Sequence, residues 1–287
     1  MTSTHAHWGE KYPACAKLNL MLRIVGRRED GYHLLQTVFQ FVELCDWLSF
    51  HHNNDGRVYL QNPLADVAEA DDLTIKAANL LKAETGCTQG VCISVEKNLP
   101  MGGGLGGGSS DAATTLVVLN KLWELNLSTE KLMQLGLALG ADVPIFVYGY
   151  SAWAEGVGEQ ITKITVPEQW TVIIKPNCHV NTGEIFSDKA LTRDSKYIKI
   201  ADFTAGQQQN DCLTLVSQRY PLVQQALLAL SEFSEARLTG TGACVFAQFD
   251  SEESARKAYI SLSTHWQVYL TKGSNESPLF TKLRMDS

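Results

Sequence analysis

The chain has 287 residues, 45% of them hydrophobic and 19% charged, with 24 Lys and Arg against 31 Asp and Glu for a formal net charge of −7. These values describe a soluble globular protein with core enough for two lobes. A mixed, net-negative surface excludes broad nucleic-acid or membrane binding, since both depend on positive patches.

Seven cysteines are scattered at 15, 45, 87, 92, 178, 212 and 244 with no C-x-x-C pair, the pattern of buried thiols in a reducing compartment. The stretch from Met1 to Lys17 has no apolar signal region, and no apolar run approaches the roughly 18 residues of a membrane span. A cytoplasmic setting is therefore expected.

From Ala14 to Ile24, the residues Ala14, Ala16, Leu18, Leu20, Leu22 and Ile24 alternate with Cys15, Lys17, Asn19, Met21 and Arg23. That period of two predicts a half-buried strand with Lys17 and Asn19 on one face. Arg28-Glu29-Asp30-Gly31 carries the Asp-Gly signal of a tight hairpin and leads to a second strand over 34–44. Strands at 47–51 and 58–61, a helix from Asp71-Asp72 to Gly86, and a strand at 91–95 follow.

Next comes Pro100-Met101-Gly102-Gly103-Gly104-Leu105-Gly106-Gly107-Gly108-Ser109-Ser110, with six glycines in eleven residues. Glycine loses more backbone freedom on ordering than any other residue, so such a run marks a place where something approaches bare backbone. Ser109-Ser110-Asp111 can cap and charge the start of a helix over 112–125. A glycine run feeding a helix N-terminus gathers amide N–H groups and about half a unit of positive charge, an anion cradle suited to phosphate. A flexible linker would be flanked by polar sequence, whereas this run joins a strand to a helix.

Ser128 caps a helix over 130–139 that ends at Gly140, and the short apolar stretch 143–148 follows. A strand-like 151–155 leads to the Gly156-Val157-Gly158 turn. Beyond lie a strand at 171–175 and helices near 182–191, 209–219 and 221–230. A hairpin-like stretch over 236–249 carries Thr239-Gly240-Thr241-Gly242, before a helix at 251–262 and a strand at 266–271. Helices and strands mix without regular βαβ units. The expected fold is α+β in two lobes, 1–160 and 161–287, with the active site in the cleft between them.

Three phosphate loops compete for the glycine run. A Walker A loop fails, because no lysine follows the glycines. The dinucleotide fingerprint is matched by Gly102, Gly104 and Gly107, with Glu124 about twenty residues on; but a second helix, not a parallel strand, follows the first. The protein-kinase signatures V-A-I-K, H-R-D and D-F-G are missing.

The loop P-x-G-x-G-L-G-x-x-S-S, with Ala14-Cys15-Ala16-Lys17-Leu18-Asn19-Leu20 before it and Leu238-Thr239-Gly240-Thr241-Gly242-Ala243 after it, resembles the GHMP superfamily of small-molecule kinases. Asp30-Gly31-Tyr32-His33, Gly140-Ala141-Asp142-Val143-Pro144 and Ala154-Glu155-Gly156-Val157-Gly158-Glu159 narrow the resemblance to the 4-diphosphocytidyl-2-C-methyl-D-erythritol kinase family. The likeness runs from about Pro13 to Pro278 and is weakest across 187–207, read as variable surface.

The resemblance implies ATP-dependent phosphorylation of the acceptor's tertiary 2-hydroxyl, in the non-mevalonate route to isoprenoid precursors. It implies that residues 100–110 wrap the ATP phosphates, with Ser109 or Ser110 reaching a phosphate or the accompanying Mg²⁺. Asp142 is the implied general base and Lys17 its cationic partner, although unaided they read as a helix N-cap and a solvated strand lysine. Asn19 is expected to position the substrate or Lys17. Tyr32, His33 and Phe186 are expected to hold the cytosine, with Phe39 lining the same pocket; alone, the tyrosine reads as a turn residue and the phenylalanines as core. Thr241 and Gly242 are expected to approach phosphates of the acceptor or of ATP. One departure stands out. Where the family often has Asp-Asn-Leu, its asparagine near the adenine, this chain has Asp71-Asp72-Leu73. Alternatives that keep the glycine loop are a kinase for mevalonate, homoserine or a sugar, a nicotinamide dehydrogenase, and a nucleotide-binding protein without turnover. The histidines at 5, 7, 51 and 52 have no partners at metal-ligand spacing.

Overall fold

A computed structural model describes residues 6–29, 31–63 and 67–285. His5 and Asp30 lie outside the described residues.

The first strand, β1 (Lys11–Arg27), departs from the half-buried expectation: it is buried on both faces from Tyr12 to Ile24. The face expected in solvent is buried as well, and it carries the polar side chains of Lys17, Asn19 and Arg23. β2 (His33–Asn53) absorbs both of the strands expected at 34–44 and 47–51. It pairs antiparallel with β1 along nearly its whole length, interrupted by register shifts between Cys15 and Lys17, between Asn19 and Met21, and between Ile24 and Gly26.

β3 (Val58–Leu60) and a short 3₁₀ turn (Glu69–Asp71) precede α1 (Leu73–Thr85), whose N-cap Asp72 accepts from the backbone N–H groups of Thr74 and Ile75 and whose C-cap is Gly86. After β4 (Gly90–Glu96), the glycine run enters α2 (Gly107–Leu122). That helix starts earlier than expected: its N-cap is Gly106, and Ser109, Ser110 and Asp111 sit inside its first turns, not ahead of it.

α3 (Thr129–Leu139) is capped by Ser128 as expected, and α4 (Val143–Tyr148) follows with Asp142 at its N-cap position. Next come β5 (Ala152–Glu155), β6 (Gln160–Lys163), β7 (Trp170–Lys175) and α5 (Thr182–Ser187). The remaining elements are α6 (Ile200–Thr204), α7 (Leu213–Arg219), α8 (Pro221–Ser231), β8 (Ala236–Leu238), β9 (Val245–Phe249), α9 (Glu252–Leu262), β10 (Gln267–Ser274) and α10 (Pro278–Met285). β6, α6 and α10 escaped the sequence reading: each is short, and α10 buries only Leu279 and Leu283 of its eight residues.

One sheet path runs β3-β4-β2-β10-β7-β9-β8, with β1 and β5 also pairing to β2 and β6 to β5. Helices α1 to α4 and α10 cover a first core built on Tyr12, Phe41, Phe50, Ile93 and Leu116. A second core gathers Val172, Ile174, Val216, Val223, Val245 and Ala255 under the later helices. β1 feeds both of them. Tyr12 and Ala14 enter the first core, Leu22 and Ile24 enter the second, and Ala16, Leu18 and Leu20 fill a third cluster between them with Leu105, Ile173 and Phe246. Two exchanges thus cross the 160/161 boundary: the end of β1 packs with the later elements, and Leu279 and Leu283 of α10 pack with the earlier ones. Among the described residues no helix is long and apolar enough to cross a membrane.

The seven cysteines are unpaired, and burial pushes the thiols of Cys15, Cys212 and Cys244 up to about 12. Beneath the glycine run lies a buried charge cluster. Lys97 Nζ contacts Asp46 Oδ2 and lies 2.7 Å from Asp111 Oδ2, while Asp46 Oδ1 accepts from the backbone N–H groups of Asn98 and Leu99 at 2.6 and 2.7 Å. Burial drives the Asp111 carboxyl upward against the opposing pull of Lys97. Removing one partner of such a pair leaves an uncompensated buried charge, which costs about 3–5 kcal/mol. Lys97→Met is therefore expected to lower unfolding stability by that amount; an unchanged urea midpoint would show that the cluster holds nothing together.

Candidate active site

The register shift after Cys15 re-aims β1 so that Lys17 and Asn19 turn toward the glycine run, as bulges commonly do beside functional sites. Lys17 is only 3% exposed. Its Nζ donates to Asn19 Oδ1 at 2.6 Å and to the Gly104 carbonyl at 3.2 Å, and it lies 3.3 Å from Asp142 Oδ2. It also stands 5.4 Å from the centre of the Phe39 ring. Asn19 is fixed in turn: its Nδ2 donates to Thr37 Oγ1 at 2.8 Å, and its backbone N–H donates to Thr239 Oγ1 at 3.0 Å. Asp142 occupies the N-cap position of α4 but makes no side-chain capping bond. Its carboxylate, 38% exposed, faces Lys17 instead.

The glycine loop is held from both sides by backbone. Lys17 N–H donates to the Leu105 carbonyl and Cys244 N–H to the Gly103 carbonyl, each at 3.0 Å. Gly104 has φ +76°, and a Cβ there would lie 2.8 Å from the Thr239 carbonyl oxygen and 2.9 Å from that of Gly242. The loop and the Thr239–Gly242 turn therefore touch main chain to main chain. Behind them α2 begins, and the N–H groups of its first turn have no intrahelical acceptor.

Two cavities flank this contact. The smaller, about 400 Å³, is lined by Pro100 to Ser109 together with Asp72, Lys97, Asp111 and Asp142. Asp111 Oδ1 is buried without a hydrogen-bond partner. Asp72, at the departure from the family pattern, uses Oδ1 on Thr74 N–H at 2.8 Å and on the Thr74 hydroxyl. The larger cavity, about 670 Å³, is lined by Lys17, Asn19, Tyr32, His33, Phe39, Phe186, Gly240 and Thr241, among others. Gly104, Ser109 and Asp142 line both.

The structure thus brings Lys17, Asn19, Asp142, the glycine run, the two-residue Tyr32-His33 segment and Phe186 around one paired cleft. Of the two candidate serines, Ser109 lines both cavities, whereas Ser110 is 1% exposed and lines neither. Thr241 lines the larger cavity and its hydroxyl bonds that of Thr182 at 2.8 Å. Gly242 lines neither; it faces Leu238, Val216 and Val180 behind the loop. The His33 and Phe186 rings lie 5.0 Å apart, tilted by 33°, and Tyr32 is 63% exposed. Burial, then the charges of Arg193 and Arg27, holds the His33 imidazole below its ordinary pKa.

Arg193 is the residue that sequence reasoning missed. It lies in the 187–207 stretch taken for variable surface, yet its Nε meets His33 Nε2 at 3.0 Å. No local pattern marks an arginine in an irregular segment as a contact 160 residues away.

Comparison with known proteins fits this geometry. The family "GHMP kinases N terminal domain" matches residues 72–150. A 4-diphosphocytidyl-2-C-methyl-D-erythritol kinase from Methylococcus capsulatus is 56% identical over 95% of this chain and 94% of that protein. The chain belongs to the 4-diphosphocytidyl-2-C-methyl-D-erythritol kinase family. A relative of the same description from Nitrosococcus oceani is 54% identical over 93% of this chain and 96% of its own length. The crystal structure of a 4-(cytidine 5'-diphospho)-2C-methyl-D-erythritol kinase superposes with a TM-score of 0.81 at 29% identity, covering 92% of this chain and 99% of that one. A mevalonate kinase, at TM-score 0.70 and 14% identity over 93% of this chain and 100% of that one, shares the fold.

A side chain at Gly104 would meet two carbonyl oxygens and adopt a backbone conformation costing about 1–3 kcal/mol for non-glycine residues. Gly104→Ala is expected to lose at least that much stability in urea denaturation and to weaken nucleotide binding in a fluorescence titration. Wild-type values in both would mean that the two turns are not in contact.

Proposed function

We propose that this protein transfers the γ-phosphoryl group of ATP to the tertiary 2-hydroxyl of 4-diphosphocytidyl-2-C-methyl-D-erythritol, a step toward isoprenoid precursors that does not pass through mevalonate. One observation carries the reading beyond family membership: a nucleotide-sized glycine-lined cavity and a larger aromatic-lined cavity meet at Asp142, beside the Lys17 ammonium. A donor phosphate and an acceptor alcohol need such a junction.

Phosphoryl transfer is chiefly positioning and charge stabilisation. Bare N–H groups at the start of α2 and along residues 101–108 take up charge on the phosphates, with Ser109 as the reaching hydroxyl. The Asp142 carboxylate accepts the proton of the acceptor hydroxyl as the hydroxyl oxygen bonds to the γ-phosphorus and the bond to the bridging oxygen of ADP breaks. Lys17, held by Asn19 and Gly104, keeps Asp142 oriented and offsets charge gathering at the junction. Asn19 contributes by fixing Lys17. Tyr32, His33 and Phe186 hold the cytosine, where each aromatic stack is worth about 1–3 kcal/mol by analogy with single-stranded nucleic-acid sites. Thr241 faces the acceptor from the later half of the chain, and Gly242 supports it through the turn. We read 1–160 as the ATP-binding lobe and 161–287 as the second lobe.

Mg²⁺ takes few protein ligands and binds largely through phosphate oxygens and water. Among the described residues no group of three or more His, Cys, Asp or Glu is placed to hold a metal ion. Ser109 is the side chain we assign to it. When bound, the ion neutralises phosphate charge.

Loss of a general acid–base group costs about 10²–10⁴ in rate. Asp142→Asn and Lys17→Met are each expected to lower kcat by that factor in a coupled ADP-release assay, with ATP still bound. Turnover should require the cytidine diphosphate acceptor, and bare polyols, mevalonate or homoserine should not replace it. Normal turnover by either variant would remove its assigned role; equal turnover of mevalonate would overturn the substrate assignment.

A further inference from the structure

Arg193 lies between α5 and α6 and uses all three guanidinium nitrogens. Nη1 donates to the Leu191 carbonyl at 3.0 Å, and Nη2 to the carbonyls of Phe186 at 2.9 Å and Asp188 at 2.5 Å. Nε points at His33 Nε2, 3.0 Å away. A guanidinium has donors and no acceptor, and it stays protonated at any pH an enzyme meets. The contact with His33 therefore requires a lone pair on Nε2. In a neutral imidazole the proton then resides on Nδ1, because the partner of one ring nitrogen decides the state of the other.

We propose that Arg193 is a positioning residue for the acceptor, fixing His33 as its Nδ1–H tautomer so that the larger cavity receives one oriented N–H donor. This rests on reading that cavity as the cytidine diphosphate site. The edge of cytosine carries two acceptors, ring N3 and O2, beside one amino donor at N4, and an N–H donor on His33 selects the acceptor part of that edge. The opposite tautomer would set a lone pair against N3 and O2 and could meet only the N4 amino group, so fixing the tautomer fixes how the base is oriented. The same guanidinium grips the Phe186 carbonyl, so one side chain holds both the hydrogen-bonding ring and the ring tilted against it. The carboxylate of Asp188 is engaged by Arg219, which leaves the Arg193 charge facing His33 from this segment and Arg27 facing it from β1.

The test reads the tautomer directly. Full-length protein labelled with ¹⁵N-histidine is examined by long-range ¹H–¹⁵N correlation, with His33 assigned through His33→Asn. Wild-type His33 is expected to show a protonated-type Nδ1 and an unprotonated-type Nε2, and Arg193→Met is expected to lose that preference. With the cytidine diphosphate acceptor, Arg193→Met should raise KM about tenfold, the worth of one hydrogen bond, with kcat changed less than about threefold. Arg193→Lys, which keeps one donor, should recover part of both effects. An Nε2–H tautomer in the wild type, or unchanged KM in Arg193→Met, overturns the proposal. The wild-type spectrum needs no variant, so a misfolded Arg193→Met does not remove the test. Absence of wild-type turnover with the cytidine diphosphate acceptor instead overturns the kinase reading, and the wild-type assay reveals it before any variant is made.

Discussion

A buried ammonium organises this site. Taking Lys17 out of water carries a desolvation cost of several kcal/mol, which only close oxygen partners offset. The three partners come from three places: Asn19 on the same strand, Gly104 in the glycine loop, and Asp142 at the head of α4. Satisfying one charge therefore fixes the separation of strand, loop and helix. The exposed side of Asp142 is what remains for chemistry.

Around that charge the walls are main chain. The glycine run and the Thr239–Gly242 turn approach too closely for side chains, and Asn210 Nδ2 secures the second turn by donating to the Leu238 and Gly240 carbonyls at 2.9 Å each. Backbone walls have few rotatable parts, so amide dipoles lining them are aligned before a ligand arrives. Such preorganisation stabilises developing charge without further rearrangement. The Lys97 cluster anchors the same run from below.

Much of this was legible in the sequence because it was local. The glycine run, the cap at Ser128 and the helix limits at Asp72 and Gly86 are short-range patterns with direct physical causes. Lys17, Asn19 and Asp142 came instead from the family resemblance, since unaided Lys17 reads as a solvated strand lysine and Asp142 as a helix N-cap. Errors arose where tertiary context decided. The second face of β1 is a buried polar one carrying Lys17, Asn19 and Arg23, and a period of two cannot distinguish such a face from solvent. α2 starts at Gly107 because the loop's left-handed Gly106 closes the turn, which left the more conspicuous Ser-Ser-Asp signal inside the helix. Gly242 belonged to a motif, but its packing behind the loop depends on Val180 and Val216, distant in sequence. Arg193 was invisible for the same reason.

The passage of β1 from one core to the other has a consequence for tolerance to length changes. A residue added or removed between Tyr12 and Lys17 would slide the side chains that follow to the opposite face of the strand. Leu22 and Ile24 would leave their core, and the ammonium would trade places with an alanine or a leucine. Folding and chemistry therefore share a single reading frame along this segment, and an insertion or deletion there would damage both at once.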